Sequence, residues 1–529
     1  MKSAVVLSIV FMLTASALFA ADFSSADGTD YFQTDYFTFR IVSSTEVVIS
    51  EFDDSYPDSV LDIPSVANDG TTDYSVIGIE AQMYSDEVTT LNIPASIRSI
   101  IDGCFSMYYL DWIDVDPGNT YYESIDGVLY GMRSGVPNKL VQYPCGMDGD
   151  IYDSMPANIS EIGAGAFSYS NLRVVVMSDS IIKIGSGAFY NCTNLEIIRS
   201  SLGDNVLPSS VSNIGSSAFS NCVKLSSLTL SDSLEYIGSY AFNNCGFTNI
   251  KITMLVEYIG AGAFSDCANL EGFTSENFTY IVEDGILYKL GKNDTMSLFV
   301  YPCAKGDKTT YVMPDDVVDI DSYAFSGCTK VKSVVLNDSL VNIPDTAFFD
   351  CKSLETIDLG NVVTIGVASF NGCVNLKNLE FGKNLMTIGD AAFYNCGVES
   401  LVIPSNVVHI GSDAFGNCAN LKQVTIEEDS KATIGSDVFI YDRNIEKITI
   451  ASGDVVLDRG SLSIAAYEES FTLNVEVVKG YDVPSNAANE YTTLNIIIIG
   501  ERPYPWENWI GVFFCVLVVI GILWAVREV

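Results

Sequence analysis

The chain has 529 residues, 48% of them hydrophobic, and 67 acidic against 27 basic side chains give it a formal charge of -40. That apolar content can bury a large core and excludes a disordered acidic tail, while the negative field repels a phosphate backbone, so no nucleic acid partner is expected. Such a surface suits solubility, divalent cations, a basic partner or a salty milieu, and plain solvation is the simplest reading.

Residues 1–20, "MKSAVVLSIVFMLTASALFA", combine one Lys, a short apolar run and small residues. That is the layout of a cleavable secretory signal, with cleavage after Ala17 or Ala20. Residues 21–69 read as an N-terminal β cap, because "YFTFRIVSSTEVVISEF" (36–52) alternates like a strand pair that would seal the first coil of a repeat array.

From 70 to 450 one block recurs, Ile-Gly-x-x-Ala-Phe-x-x-Cys. Its Ile falls at 77, 100, 162, 184, 214, 237, 259, 320, 343, 365, 388, 410 and 434, mostly 22 to 24 residues apart. A period that short is one coil of a solenoid, not a domain. After the Cys comes Leu-x-x-apolar-x-apolar, as in "LSSLTL" (225–230), "LETIDL" (354–359) and "LKQVTI" (421–426). Period-two alternation predicts a short strand, and stacked coils then build one parallel sheet. Ala and Phe of the block fill the interior opposite. The outward strand positions Thr229, Asp358, Glu380, Val402 and Thr425 are the ligand-binding candidates, with an unused solvated face as the alternative.

Steps of 62 and 61 residues before Ile162 and Ile320 hold insertions at about 118–155 and 275–312. They are copies of each other: "DGVLYGMRSGVPNKLVQYPC" starts at Asp126 and "DGILYKLGKNDTMSLFVYPC" at Asp284. Strand, polar turn and strand predict a protruding β-hairpin in each, a binding lobe or a packing decoration.

Nine of the thirteen Cys fall at the repeat position, one per coil: 192, 222, 245, 267, 328, 351, 373, 396 and 418. An odd number at equivalent sites cannot pair off completely, so a ladder of buried free thiols is expected. Cysteines spread singly along the chain lack the clustering a metal site needs. Cys145 and Cys303 stand outside this ladder. The single His, His409, precedes Ile410 in a slot that elsewhere holds Ser99, Glu161, Lys183, Thr364 or Thr387, so it reads as exposed, and no His-based catalytic set can be assembled. No enzyme activity, cofactor or metal is expected. Five Asn-x-Ser/Thr sequons, at Asn158, Asn191, Asn277, Asn293 and Asn337, make glycosylation a possibility after export.

Residues 451–500, with "SFTLNVEVV" and "TLNIIIIG", read as a final cap or a small membrane-proximal β unit, and 501–508 as a stiff Pro-containing linker. The run 509–526 carries no charge and, at about 1.5 Å per residue, is just long enough to span a bilayer. It reads as a retained C-terminal membrane helix with Trp509 and Trp524 at the interfaces, leaving 527–529 as a cytoplasmic tail; an apolar core helix or a removed lipid-anchor signal are the alternatives.

The Leu-x-x-apolar-x-apolar strand, the Ile-Gly-x-x-Ala-Phe-x-x-Cys block and the insertions running from Asp-Gly-x-Leu-Tyr to Tyr-Pro resemble the BspA-like family of leucine-rich-repeat surface proteins over about 70–450. Departures sit at the ends: Gln82 where Phe is expected, Cys104 in the Ala position and Asp442 in place of Cys. Together with the end caps and the C-terminal run read above, the resemblance gives a right-handed leucine-rich-repeat solenoid with a parallel β-sheet on one face, two β-hairpin insertions, β-rich end caps and one C-terminal transmembrane helix. It also implies a cell-surface or secreted protein of the adhesion class, and with the two chain ends read above the expectation is a single-pass protein whose extracellular solenoid binds a protein or glycan ligand or other cells. The rival reading is a structural envelope or coat component that self-associates.

Overall fold

The computed structural model describes residues 31–292, 295–306, 309–464, 470–490 and 492–499. The signal sequence, the 501–508 linker, the 509–526 run and the tail lie outside the described residues. Among those described, no helix is long and apolar enough to cross a membrane. The chain divides after Cys192 into two compact units, and each is a β-solenoid of stacked coils.

The first unit opens on an antiparallel meander of Tyr31–Gln33, Phe37–Ile41 and Glu46–Phe52, whose last strand pairs in parallel with Asp73–Ile79. Phe32, Phe37, Phe39, Phe52, Tyr56 and Tyr74 form one ring cluster there. These rings cover the first coil, as the alternating pattern of 36–52 requires. One register marker moves: Ile79, not Ile77, pairs with Ile100, and Met83, not Gln82, stands beside Phe105 in the ring position. Ile77-Gly78 imitates the motif two residues early, but the buried thioether of Met83 is what fills the core there.

Coil-to-coil contact has two walls where the sequence predicts one. The first is the expected parallel sheet, for example Thr310–Val312, Ser333–Val335 and Thr356–Asp358. The second is built from two-residue strands ending on the motif Ile, Asn342–Ile343, Thr364–Ile365, Thr387–Ile388, His409–Ile410 and Thr433–Ile434, and Val456–Leu457 continues it past the last motif. Strands this short show no alternation, which is why periodicity misses them. Where Gly follows the Ile, close approach requires it: a Cβ on Gly389 would sit 2.7 Å from the carbonyl carbon of Gly366. Two coils of the second unit do without it, with Asp321 after Ile320 and Pro344 after Ile343.

Between the walls lie two columns. In the second unit Phe325, Phe348, Phe370, Phe393 and Phe415 stack with centroids 4.6, 5.0, 5.0 and 5.3 Å apart and ring planes within 12°. All five rings are buried. Beside them the motif cysteines are free and buried. Four donate the S–H to the Phe carbonyl of an earlier coil, Cys351 to Phe325 (2.9 Å), Cys373 to Phe348 (3.2 Å), Cys396 to Phe370 (3.0 Å) and Cys418 to Phe393 (3.2 Å), while Cys328 donates to the Tyr301 carbonyl (3.8 Å). In the first unit Cys192 makes the same bond to Phe167, at 3.0 Å.

Burial disfavours the thiolate, so these thiols titrate far above the ordinary range; Cys192 is pushed up to about 12 and Cys351, Cys373 and Cys418 also rise well above it. Since thiolate is the reactive form, the native protein at about pH 8 is expected to show no reaction of its twelve described cysteines with an aromatic disulfide reagent, and complete reaction in guanidinium. Rapid labelling of a ladder cysteine in the native protein would contradict this packing.

The insertions differ from the protruding hairpins expected. Each is a three-stranded antiparallel meander: Tyr122–Ile125, Val128–Arg133 and Val136–Gln142 in one, Tyr280–Glu283, Ile286–Leu290 and Met296–Val300 in the other. Asp126-Gly127 (φ 52° and 81°) and Asp284-Gly285 (φ 49° and 74°) are the first turns and do not begin a strand. Two consecutive left-handed residues match the twist of a tight hairpin, and Asp-Gly is the pair that tolerates them. The third strand of each meander then joins the Ile wall, pairing Leu140 with Ile162 and Leu298 with Ile320.

The Tyr-Pro-Cys that closes each insertion serves as a substitute core segment. Tyr143 stacks on Phe167 at 5.3 Å and Tyr301 on Phe325 at 5.0 Å, each standing in the column of rings. Cys145 and Cys303 are buried and donate to the carbonyls of Met107 (3.1 Å) and Ser326 (3.2 Å). Cys303 thus stands next to Cys328 and belongs to the thiol column, contrary to the sequence expectation. Both insertions are spliced into the wall and pack into the core.

Candidate ligand-binding face

In the second unit the strands Ser400–Ile403, Gln423–Ile426, Lys447–Ile450, Phe471–Val478 and Thr492–Ile499 form one parallel sheet in that order. Its inner positions, such as Leu401, Val424, Ile448 and Val475, are buried, so alternation sends the intervening side chains outward. Register then aligns them in rows across the strands. One row reads Val402, Thr425, Thr449, Glu476, Ile497, and the next Ser400, Gln423, Lys447, Asn474, Asn495.

Within these rows Thr449 donates to Glu476 at 3.1 Å, Lys447 pairs with Glu476 at 3.1 Å, and the Asn495 amide donates to Asn474 at 2.9 Å. Hydrogen bonding from Lys447 holds the Glu476 carboxyl below the usual range. The result is a row with an apolar residue at each end, Val402 and Ile497, and hydrogen-bonding groups between.

Of the five candidate residues, the structure places Val402 and Thr425 side by side on this sheet; Val402 is 51% exposed and Thr425 half-buried. Asp358 is exposed at the end of Thr356–Asp358, beside Val335 on the sheet shared with Ser333–Val335. Thr229 is exposed and forms a single bridge with Val206. Glu380 is exposed but lies in a segment with no strand, since Leu376–Phe381 makes no ladder. The five therefore occupy separate coils and do not converge. Thr449, Glu476 and Ile497 join the Val402 row only through the register, and the repeat pattern does not reach the last two because the Cys spacing ends at Asp442.

His409 lies exposed on the outer side of the Ile wall, between Thr387 and Thr433. Among the described residues no group of three or more His, Cys, Asp or Glu is placed to hold a metal. Two clefts open beside the walls. One, of 350 Å³, is lined by Asn221, Asn243, Asn244, Asp266 and Lys352. The residue before the motif Cys is left-handed here, with Asn221, Asn244 and Asp266 at φ 65°, 52° and 59°, a conformation Asn and Asp tolerate better than most. Their side chains cross-link coils: Asn244 donates to Asn221 at 2.8 Å and Asn243 to Asp266 at 2.9 Å. The other cleft, of 820 Å³, is lined by Asp413, Asp437, Tyr441, Arg459 and Asn486 among others. Desolvation lifts the carboxyls of Asp413 and Asp437 above their ordinary value.

The sequons that fall on described residues are mostly committed to the fold. Asn277 is buried, its amide donating to the carbonyls of Thr253, Met254 and Val256 at 3.2, 3.0 and 2.7 Å. Asn337 likewise donates to Pro314 and Val317 at 2.6 and 2.7 Å, and Asn158 to the Pro137 carbonyl.

Parallel walls, a period of 22 to 24 residues and buried Phe and Cys columns define a leucine-rich-repeat solenoid. The BspA type leucine rich repeat region matches in six copies, over 153–205, 199–291, 303–365 and 359–461, and the chain belongs to that family. Among solved structures it is similar to a leucine rich cell surface protein of Faecalibacterium prausnitzii, at 24% identity over 76% of this chain and 96% of that one, with a TM-score of 0.49. It is also similar to the pneumococcal vaccine antigen PcpA, at 19% identity over 90% and 99% of the two chains (TM-score 0.41). A leucine-rich repeat protein of Bacteroides ovatus matches at 21% over 88% and 90%, with a TM-score of 0.28. No curated protein matches the sequence.

Proposed function

We propose that this is a surface-displayed recognition protein whose outer sheet face binds a protein or glycan ligand, with residues 1–20 directing export and 509–526 anchoring the chain in the membrane. The observation that carries the reading is the Val402–Thr425–Thr449–Glu476–Ile497 row: a regular strip of apolar and hydrogen-bonding side chains held in register across five parallel strands. Recognition surfaces combine apolar contact with a few placed polar groups, and solenoids present such strips over long distances. Family membership agrees, since the resemblance carried by the repeat is to surface proteins implicated in adhesion.

The test replaces Val402, Thr425 and Thr449 together with Lys. These positions lie on the outer side of the sheet and leave the core intact, so the fold should persist, with thermal stability lowered modestly by the cross-strand Lys repulsion and the lost Thr449–Glu476 bond. Binding to a ligand identified for the native chain is expected to weaken at least tenfold, about 1.4 kcal/mol. Unchanged affinity with an intact fold would remove this face from the proposal.

A further inference from the structure

Sheet edges carry unpaired N–H and C=O groups, and proteins normally blunt them with short strands, charges, Pro or bulges. Most edges here obey that rule: Tyr31–Gln33 and Val66–Asn68 have three residues each, Val456–Leu457 has two and Ser400–Ile403 four. Thr492–Ile499, "TTLNIIII", breaks it in every respect. It has eight residues, no charge and no Pro, and it pairs with Phe471–Val478 through eight consecutive positions without a bulge. Among the described residues no strand pairs with its other edge.

The apolar load on this strand is also uncovered. On the inner side Leu473, Val475 and Val477 are buried, and their neighbours Leu494, Ile496 and Ile498 continue the same line. Leu494 still packs against the core. Ile496 and Ile498 are 48% and 47% exposed, and Ile497 on the outer side is 41% exposed. The core row runs out into solvent at an open hydrogen-bonding edge.

We infer that this edge is closed by a second copy of the chain, its own Thr492–Ile499 strand pairing antiparallel so that the two five-stranded sheets become one. Charge selects the occupant. A chain with a formal charge of -40 repels its copy over most of its surface, and a strand of eight uncharged residues is a place where two copies can meet without that cost. A twofold contact needs a patch complementary to itself, which an antiparallel strand pair satisfies by construction. Both partners then bring the same exposed Ile cluster to the contact and cover each other's. This contact requires no ligand on the outer face.

Disulfide trapping tests it, and the burial of the native thiols keeps the background low. In full-length chain carrying Cys515→Ser, solubilised in mild detergent, Ile496→Cys or Ile497→Cys is made singly, with Leu255→Cys, 51% exposed in a turn elsewhere, as the control. The two strand variants are expected to give covalent dimers on non-reducing gels at several-fold the control level. Light scattering of the chain bearing only Cys515→Ser should report a dimer that dissociates on dilution, and Ile496→Lys with Ile498→Lys should leave a folded monomer. Equal cross-linking of all three cysteine variants, or a monomer at every concentration, would overturn the inference. So would slow exchange, in a chain shown to be monomeric, of those amides of 492–499 that point away from 471–478, which would mean that another part of the chain covers the edge.

Discussion

Phe415→Ala is expected to cost about 3 to 5 kcal/mol of folding stability, the range for emptying a buried ring site. The ring is fully buried and lies flat between Phe393 at 5.3 Å and Phe439 at 6.2 Å. Its loss removes contact with both neighbouring coils, and a stack in which each coil touches only the next has no other element to fill the gap. Urea unfolding followed by circular dichroism measures the change. A loss below about 1 kcal/mol would mean that the cavity collapses or that the ring is not packed as described.

Asp442→Cys is expected to stabilise the protein at neutral pH, by about 1 to 3 kcal/mol, the cost of a buried polar group left without a partner. Asp442 occupies the thiol position of the coil marked by Ile434, where a Cys would donate to the Phe415 carbonyl as Cys418 does to Phe393. It is fully buried, and neither carboxyl oxygen makes a hydrogen bond of ordinary geometry among the described residues. Burial pushes this carboxyl well above its ordinary value, against a smaller opposing effect from the Cys418 backbone.

The pH dependence is set by that direction. Below the unfolded value of about 3.9 both folded and unfolded chains hold the proton, and the buried acid costs nothing through ionisation. As pH rises past that value the unfolded chain releases its proton while the folded chain keeps it, so stability falls until pH passes the folded value and then levels off. The advantage of Asp442→Cys over the native chain should therefore be smallest below about pH 4 and grow above it. Paired thermal melts across this range measure the difference. An advantage independent of pH would show that Asp442 is ionised and compensated in the fold.

The coil period, the inward Ala, Phe and Cys, and the N-terminal strand pair are legible in the sequence because each is a repeated or alternating apolar signal, and burial reads apolarity directly. What the pattern hides has physical causes. Two-residue strands such as His409–Ile410 are too short to alternate. The Asp-Gly pairs at 126 and 284 read as strand starts from their apolar neighbours, although consecutive positive φ angles make them turns. Tyr143 and Tyr301 read as parts of lobes because their flanking Pro interrupts the motif, yet an aromatic ring fits the Phe column whatever its neighbours.

The face itself is half legible. Val402 and Thr425 follow from alternation, whereas Glu380 is exposed as alternation expects but stands in the Leu376–Phe381 segment, which forms no ladder. Glu476 and Ile497 need the register of strands beyond the last motif, which only the pairing of Lys447–Ile450 with Phe471–Val478 and then with Thr492–Ile499 supplies.

The measurement that bears most directly on recognition is binding of the purified full-length chain to a panel of matrix proteins, glycans and intact cells at physiological salt, alongside the chain carrying Val402→Lys, Thr425→Lys and Thr449→Lys. Saturable binding to one partner by the native chain, weakened at least tenfold in the substituted chain, is the predicted result. No saturable binding by a folded preparation would contradict it and would favour the self-associating reading over recognition.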